Sequence, residues 1–490
     1  MKSPRQLFPL ALIFFGALLT VHAQSAFTTL YDFSALDVTG TTNSDGAVPF
    51  SGLVLSNSRL YGTSIIGGAL GRGTLYAINA NGTGFTNLHN FTAGNDGDRP
   101  SGGLILSGHT LFGTAFQAGS SGSGNVFAIN TDGTGFTVLY GFSATVFNQV
   151  TFVSTNGDGS NPLCTLVLSG STLYGTANGG GVFGHGTVFG INTNIASFTN
   201  LHNFSSTTGV KGTNSDGSGP YGALVLAGGA LYGTTFQGGT SGRGTIFKVN
   251  TNGTGFTNLH NFSGFPNDGA TPEGGLLIAG KTLYGTTTFG GGADNGTVFA
   301  VNTDGTDFTN LHFFTAFSHG TNADGANPKS TLIVSGDTLY GTATAGGATY
   351  NGTVFTLSTS STGFTTVYNF TALDAVNNIT NSDGSGPTAG LTASGSTFYG
   401  AAGGGGASGD GTVFAVSLGA APPLLVIAPV GDNVVLFWPT AASNFGLQTS
   451  TDLLSGGWSN ISSGIFTAGT NFVFTNGVSR PAAFFRLQGL

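Results

Sequence analysis

Residues 96–142 read DGDRPSGGLILSGHTLFGTAFQAGSSGSGNVFAINTDGTGFTVLYGF, and this stretch decides the fold. Gly103-Leu104-Ile105-Leu106 is an apolar run closed by the tight-turn pair Ser107-Gly108. Thr110 to Thr114 is a second strand, and a Gly-rich loop leads to a third, Asn125 to Ile129. The turn Asn130-Thr131-Asp132-Gly133-Thr134-Gly135 precedes a fourth, Phe136 to Phe142. The first three strands are apolar on both faces, so the small sheet they form must be covered on both sides; the fourth mixes Phe and Leu with polar residues, as an outer strand half in water does.

The same four signatures recur in fixed order along the chain. Asp-Gly-x-x-Pro starts at Asp45, Asp96, Asp158, Asp216, Asp268, Asp324 and Asp383. Seventeen residues after each aspartate comes the glycine of Leu-Tyr-Gly-Thr or a close variant, eleven later that of a Gly-Thr-Val-Phe-like segment, and in the first six units twelve later the Phe that opens the fourth strand. None of these offsets varies. From the closing Phe of one unit to the next Asp the offset runs 12, 5, 16, 12, 6, 10 and 13 residues. Segments of invariant length are paired strands in fixed register, and the variable one is a surface loop.

Small sheets covered by copies of themselves are what a β-propeller provides. The last unit stops after Gly411-Thr412-Val413-Phe414 without a fourth strand, and the missing strand stands at the other end as Phe27-Thr28-Thr29-Leu30-Tyr31-Asp32-Phe33. The expected fold is therefore all-β: a seven-bladed propeller closed by its N-terminal strand, followed by a small β-sandwich. An open solenoid is the alternative, and it calls for capping units rather than complementary fragments.

The composition agrees. The chain has 86 glycines in 490 residues without a three-residue period, 7 % charged residues and 39 % hydrophobic ones, which excludes collagen and a disordered polyelectrolyte. Residues 1–23, MKSPRQLFPLALIFFGALLTVHA, read as a signal peptide with a basic start, an apolar stretch from Leu7 to Leu19 and a small-residue cleavage pattern; a retained membrane anchor is the alternative. Without Lys2 and Arg5 the mature chain carries 10 − 20 = −10 charges. A mildly acidic surface without Lys/Arg clusters argues against nucleic acid and anionic membranes. The one cysteine, Cys164, allows no intrachain disulfide and sits in an apolar context that marks it as a buried hydrophobe. Domain boundaries are expected at 24–418 for the propeller, 419–423 for a Pro-containing linker and 424–490 for the sandwich, with Trp438 in its core. No membrane span is expected in the mature chain, and a monomer is.

Asp-Gly-x-x-Pro, Leu-Tyr-Gly-Thr, Gly-Thr-Val-Phe and Leu-His-Asn-Phe resemble the tandem repeat of bacterial "choice-of-anchor" GloVer-containing proteins, over about residues 27–417. The resemblance implies an exported, propeller-like repeat protein whose C-terminal segment varies and serves in sorting or anchoring; it implies no chemistry. This chain departs from anchored members in ending Phe484-Phe485-Arg486-Leu487-Gln488-Gly489-Leu490. Leu436-Phe437-Trp438, Leu447 to Leu453, Gly457-Trp458 and the closing Phe-Phe-Arg-Leu resemble the fibronectin-III-like tail of secreted bacterial proteins, which implies a spacer, sorting or adhesive role.

In a four-stranded blade the variable loop and the Gly-rich loop open on one face, so partner contacts are expected on a shared rim. Its candidate residues are Gln237, Arg243, Arg99, and Glu273 with Lys329, which fill one slot in neighbouring units; Lys211 lies nearby. Glu273 and Lys329 form a candidate acid/base pair or a plain ion pair. The seven aspartates are candidates for an acidic ring at the channel mouth that holds a cation, with an Asn two residues before, as in Asn43-Ser44-Asp45-Gly46, resembling half a calcium loop. Asp in an Asx-type turn is the simpler reading. His89, His202, His260 and His312 occupy one slot that elsewhere holds Tyr31, Tyr140 and Tyr368, which points to packing rather than metal. No catalytic constellation is legible and no cofactor is expected. The expected function is an exported, non-catalytic binding or scaffold module whose partner is an extracellular glycan or a surface protein. A carbohydrate-binding propeller, a polysaccharide-active enzyme and a purely structural envelope protein remain open.

Overall fold

The computed structural model describes residues 26–195, 197–376 and 378–418, and in the tail 425–430, 433–440, 445–451, 458–477 and 484–489. The signal-peptide reading of 1–23 and the linker at 419–423 lie outside these residues. Phe27–Ser417 is one compact unit, and residues from Leu418 onward belong to a second.

The first unit is an all-β, propeller-like array, with seven sheets of four or five strands among the described residues. In the second sheet the strands are Ile105–Ser107, Thr110–Ala115, Asn125–Asn130 and Thr137–Gly141, paired antiparallel in chain order. The seventh consists of Thr392–Ser394, Thr397–Ala402 and Thr412–Ser417, with Ala26–Asp32 as its fourth strand. The N-terminal strand thus pairs beside the last strand of the array. Neighbouring sheets bury their faces against each other. Phe91, Leu104 and Phe127 join the first to the second, and Phe33, Leu60, Tyr76, Tyr399 and Val413 join the seventh to the first.

The outer strands carry a feature that period-2 reading misses. Phe136, Tyr140 and Phe142 share one parity and should face one way. A β-bulge between Val138 and Tyr140 reverses the face, as bulges do by placing two residues opposite one. Phe136 stacks on His89 of the first sheet at 4.0 Å, whereas Tyr140 stacks on Phe198 of the third at 4.4 Å. The bulge recurs in the first, third, fourth, fifth and sixth sheets. The N-terminal strand divides its rings the same way: Phe27 stacks on Tyr368 of the sixth sheet and Tyr31 on Phe85 of the first, both at 4.0 Å.

Glycine is required where the next strand's ring lies. A Cβ on Gly113 would stand 2.5 Å from Phe127 Cζ, and Gly175, Gly285 and Gly400 meet Phe189, Phe299 and Phe414 in the same way. The longest loop carries its own hairpin, Val146–Asn148 with Val153–Thr155, which exposes Phe147 and Phe152.

In the tail unit, strands Val426–Val430, Asn433–Pro439, Asn471–Gly477 and Ile465–Ala468 form one sheet, and Ser459–Asn460, Phe445–Ser450 and Phe484–Gly489 another. Leu436, Trp438 and Leu447 are buried where the two sheets share a core. No helix among the described residues is long and apolar enough to cross a membrane.

Candidate functional site

Each Asp-Gly-x-x-Pro segment performs three tasks along its length. Its aspartate binds the outer strand of the preceding unit. Tyr31 Oη donates to Asp45 Oδ2 at 2.7 Å, and Ser34 N donates to the same oxygen at 2.9 Å while its hydroxyl donates to Oδ1. Tyr140 and Tyr368 do the same for Asp158 and Asp383. In the four remaining units, His89, His202, His260 and His312 place Nε2 between 2.9 and 3.1 Å from Asp96, Asp216, Asp268 and Asp324. The Ser or Thr that anchors each aspartate follows the closing Phe directly, so the clasp shuts the variable loop at its base and the loop's length becomes free.

The clasps set the protonation of their members. Burial raises the Asp216 carboxyl, but the His202 and Ser205 hydrogen bonds outweigh it and hold it below the ordinary carboxylate value. Asp268 and Asp324 are lowered with the same balance of causes. Burial lowers the His89 imidazole against the opposing pull of Asp96. Burial, then the hydrogen bond each phenol donates to its carboxylate partner, raises Tyr31, Tyr140 and Tyr368 well above a normal phenol.

This placement corrects the acidic-ring expectation. Asp45, Asp158, Asp216, Asp268, Asp324 and Asp383 are buried against outer strands, Asp96 is partly so, and none of the seven lines the central pocket. Their oxygens already accept protein donors. The half calcium loop is corrected too: Asn43 Oδ1 accepts from Gly46 N and Gly68 N, and its Nδ2 donates to Ser34 O and Gly46 O. The Asx turn therefore belongs to the asparagine rather than to the aspartate.

The residue before the proline links units through the main chain. Val48, Arg99, Asn161, Gly219, Thr271, Asn327 and Gly386 all have φ between 54 and 63°. Their N–H groups donate to carbonyls of Asp410, Arg72, Ser123, His185, Arg243, Asn295 and Asn351, at 2.8–3.0 Å. A β-branched residue such as Val48 or Thr271 seldom adopts this conformation, so the inter-unit bond holds them there. The Val48–Asp410 bond makes between the chain's two ends the link that the other six make between successive units.

The residue after the proline faces the centre. One pocket of about 80 Å³ is lined by this segment from all seven units, with Phe50, Leu163, Tyr221, Glu273, Lys329 and Thr388 at the slot itself and Ser101 in the second unit. The frame repeats, yet these seven side chains are all different. Lys329 Nζ lies 3.2 Å from Glu273 Oε2, with the carboxylate side chain only 15 % exposed. Burial, with the Glu273 charge adding, pushes the Tyr221 phenol up to about 12. Beneath this ring Cys164 is buried, its sulfur accepting from Thr176 N at 3.1 Å, and burial raises its thiol. The pocket pairs an ion pair and hydroxyls with Phe50 and Leu163, which suits a small amphipathic group.

Of the residues expected on the rim, the structure brings Glu273 and Lys329 together in this pocket. Gln237, at the end of the strand Ala230–Gln237, and Arg243 and Arg99, on loops, are exposed outside its lining. Loop sharing occurs within units: Ser218 pairs with Gln237, Asp98 bridges Gln117, and Ser160 bridges Gly179. The full set of post-proline positions went unread in the sequence, although the fifth residue after each aspartate is where the repeated segment varies most.

The chain matches the model of the Gloeobacter/Verrucomicrobia repeat over residues 15–212 and 209–377. No curated protein matches it. Among solved structures it is similar to a GH74 enzyme of Niastella koreensis, with 14 % identity over 81 % of this chain and 58 % of that one, TM-score 0.49. It is also similar to an oligogalacturonate lyase of Vibrio parahaemolyticus, with 9 % identity over 81 % and 98 %, TM-score 0.44. A third, described as a putative 6-phosphogluconolactonase of Bacteroides fragilis, gives 14 % identity over 92 % and 99 %, TM-score 0.38. Likenesses this distant carry nothing about chemistry.

Proposed function

The chain belongs to the Gloeobacter/Verrucomicrobia repeat family, and from that premise we propose that it is an exported, non-catalytic binding or scaffold protein that recognises its partner at the central pocket. The working architecture is a seven-bladed propeller closed by its own N-terminal strand, with a fibronectin-III-like tail that spaces or sorts it, as in choice-of-anchor members. Two seven-membered series support the closure. The ring stacks and the pre-proline bonds each reach their full number through a contact between the two ends of the array, Phe27 with Tyr368 and Val48 N with Asp410 O, and Leu36 N adds a bond to Asp410 Oδ2. Export rests on the signal-peptide pattern of residues 1–23.

The observation that carries the binding reading is the contrast between a repeated frame and seven unlike side chains collected at one pocket. Recognition needs unlike groups at one place, whereas packing alone does not. The test is to express the full-length chain in a secreting bacterium and probe it on glycan arrays and arrays of envelope proteins. The expected product begins at Gln24 outside the cytoplasm, and replacing Glu273 by Gln together with Lys329 by Met weakens the strongest interaction about tenfold at unchanged melting temperature. An unprocessed cytoplasmic product refutes export. Binding that survives the double substitution and Tyr221→Ala refutes the central pocket.

A further inference from the structure

The interface between the third and fourth sheets combines an altered turn with a glycine found at this position in no other unit. The third sheet's outer strand is preceded by Asn192-Thr193-Asn194-Ile195-Ala196-Ser197, where the second unit has Asn130-Thr131-Asp132-Gly133-Thr134-Gly135 and the fourth Asn250-Thr251-Asn252-Gly253-Thr254-Gly255. Two latches of the standard turn are lost with this change. Asn79, Asn130, Asn250 and Asn302 each donate Nδ2 to the turn threonine at 3.0–3.2 Å. Asn192 has no such threonine, and among the described residues its Nδ2 donates to Ser171 Oγ at 3.4 Å, near the limit of a hydrogen bond. Thr86, Thr137, Thr257, Thr309 and Thr365 turn their hydroxyls onto the carbonyl two residues before. Among the described residues Thr199 makes no such bond.

The middle of the sheet opens at the same place. Gly190 stands where the other units have Ala77, Ala128, Lys248, Ala300, Thr356 and Ala415. The Tyr174 ring leans over it, so that an added Cβ would meet Cε1 at 3.3 Å. The result is a groove of about 320 Å³ beside Tyr174, Asn192, Ser197 and Thr199, with Thr251 and Asn252 of the fourth sheet on its far side. That volume is within the range of about 300–1,000 Å³ typical of ligand pockets. Its lining holds hydroxyls, amides and one aromatic ring, and no ionisable group other than that phenol. An ion placed there would be desolvated without a counter-charge. A neutral polyol has hydroxyls for these donors and acceptors and C–H faces for the ring.

We propose that this groove is a binding site for a neutral saccharide of one or two residues. It shares no residue with the central pocket and stands or falls without that reading. The test titrates the full chain with cellobiose, xylobiose, mannobiose and chitobiose, followed by calorimetry and saturation-transfer NMR, with maltobionate as a charged control. At least one neutral disaccharide binds. Gly190→Lys, which copies Lys248 of the neighbouring sheet, and Thr199→Val, at an exposed position, each weaken it about tenfold without lowering the melting temperature. Lys281→Gln, at an exposed position outside both pockets, leaves it unchanged. The proposal is overturned if no neutral disaccharide binds, if the charged control binds better, if binding survives both groove substitutions, or if it falls with Lys281→Gln instead.

Discussion

Glu273 is the fifth residue after Asp268, and the two carboxylates illustrate opposite uses of one repeated segment. Asp268 is buried against an outer strand, where His260 Nε2 and Ser263 N hold its Oδ2 and Gly269 N its Oδ1. Glu273 lines the central pocket, where Lys329 is its ionic partner among the described residues. The first recurs in all seven units as an aspartate; the second is the chain's single glutamate. Periphery and centre are therefore built by the same seven segments under different demands. A buried carboxylate with several donors is architecture, because removing it strands every donor. A partly exposed one with a single ionic partner is dispensable to the fold and available to a ligand.

The sharpest way to break the periphery is to remove its seam. Deleting residues 24–33 takes away Phe33, which is buried, and Phe27 and Tyr31, which stack on two other sheets. At about 1.5–3 kcal/mol per buried apolar side chain, the loss should reach about 5 kcal/mol. The exposed edge of Thr412–Ser417 should then drive association, visible as concentration-dependent light scattering. A monomer with an unchanged melt would refute the seam.

Asp383→Ala should cost about 3 kcal/mol in urea unfolding, since it strands Tyr368 Oη, Thr371 N and Thr371 Oγ1. Glu273→Gln at the centre should stay within about 0.5 kcal/mol of the parent. Equal costs for the two would erase the distinction between periphery and centre.

Acid should act on the periphery first. His89 is lowered in the fold, so its contribution is present above the ordinary imidazole value of about 6.5 and is lost as pH falls through the folded value. Asp216, Asp268 and Asp324 are lowered as well, so theirs are present above about pH 4 and vanish below it. Tyr31, Tyr140 and Tyr368 are raised, so their clasps hold below about pH 10 and weaken only as pH rises beyond it. The melting temperature should therefore be level from about pH 7 to 9, decline gently below about 6.5 and drop steeply under about 4. A profile level down to pH 3 would deny the clasps their role.

The smallest effect is a gain. Tyr76 is fully buried with no partner for its hydroxyl among the described residues, where the sister positions hold Phe127, Phe189, Phe247, Phe299, Phe355 and Phe414. Tyr76→Phe should add about 1 kcal/mol, read as a higher urea midpoint at unchanged slope.

The strands of each unit were legible within a residue or two, because apolar runs and Gly-bearing turns are local signals. The phase of the array was legible too, since Phe27 to Phe33 supplies the pattern that stops short after Phe414. The clasps were not. An aspartate reaches a Tyr or His across a loop of variable length, and no fixed spacing marks the pair. The bulge was hidden for a different reason: Phe136 and Tyr140 have the same parity, and only the neighbouring sheets show that they face opposite ways. The candidate site was half legible, in that Glu273 and Lys329 share a slot, while Phe50, Tyr221 and Thr388 carry no chemistry that singles them out.

Repetition, then, was written along the chain itself, because strand length and turn residues answer to neighbours a few positions away. Which of the repeated residues meet at the centre, which carboxylates are consumed by donors, and which interface is left open were decided by packing between units. Those outcomes depend on groups tens or hundreds of residues apart, whose meeting no local pattern encodes.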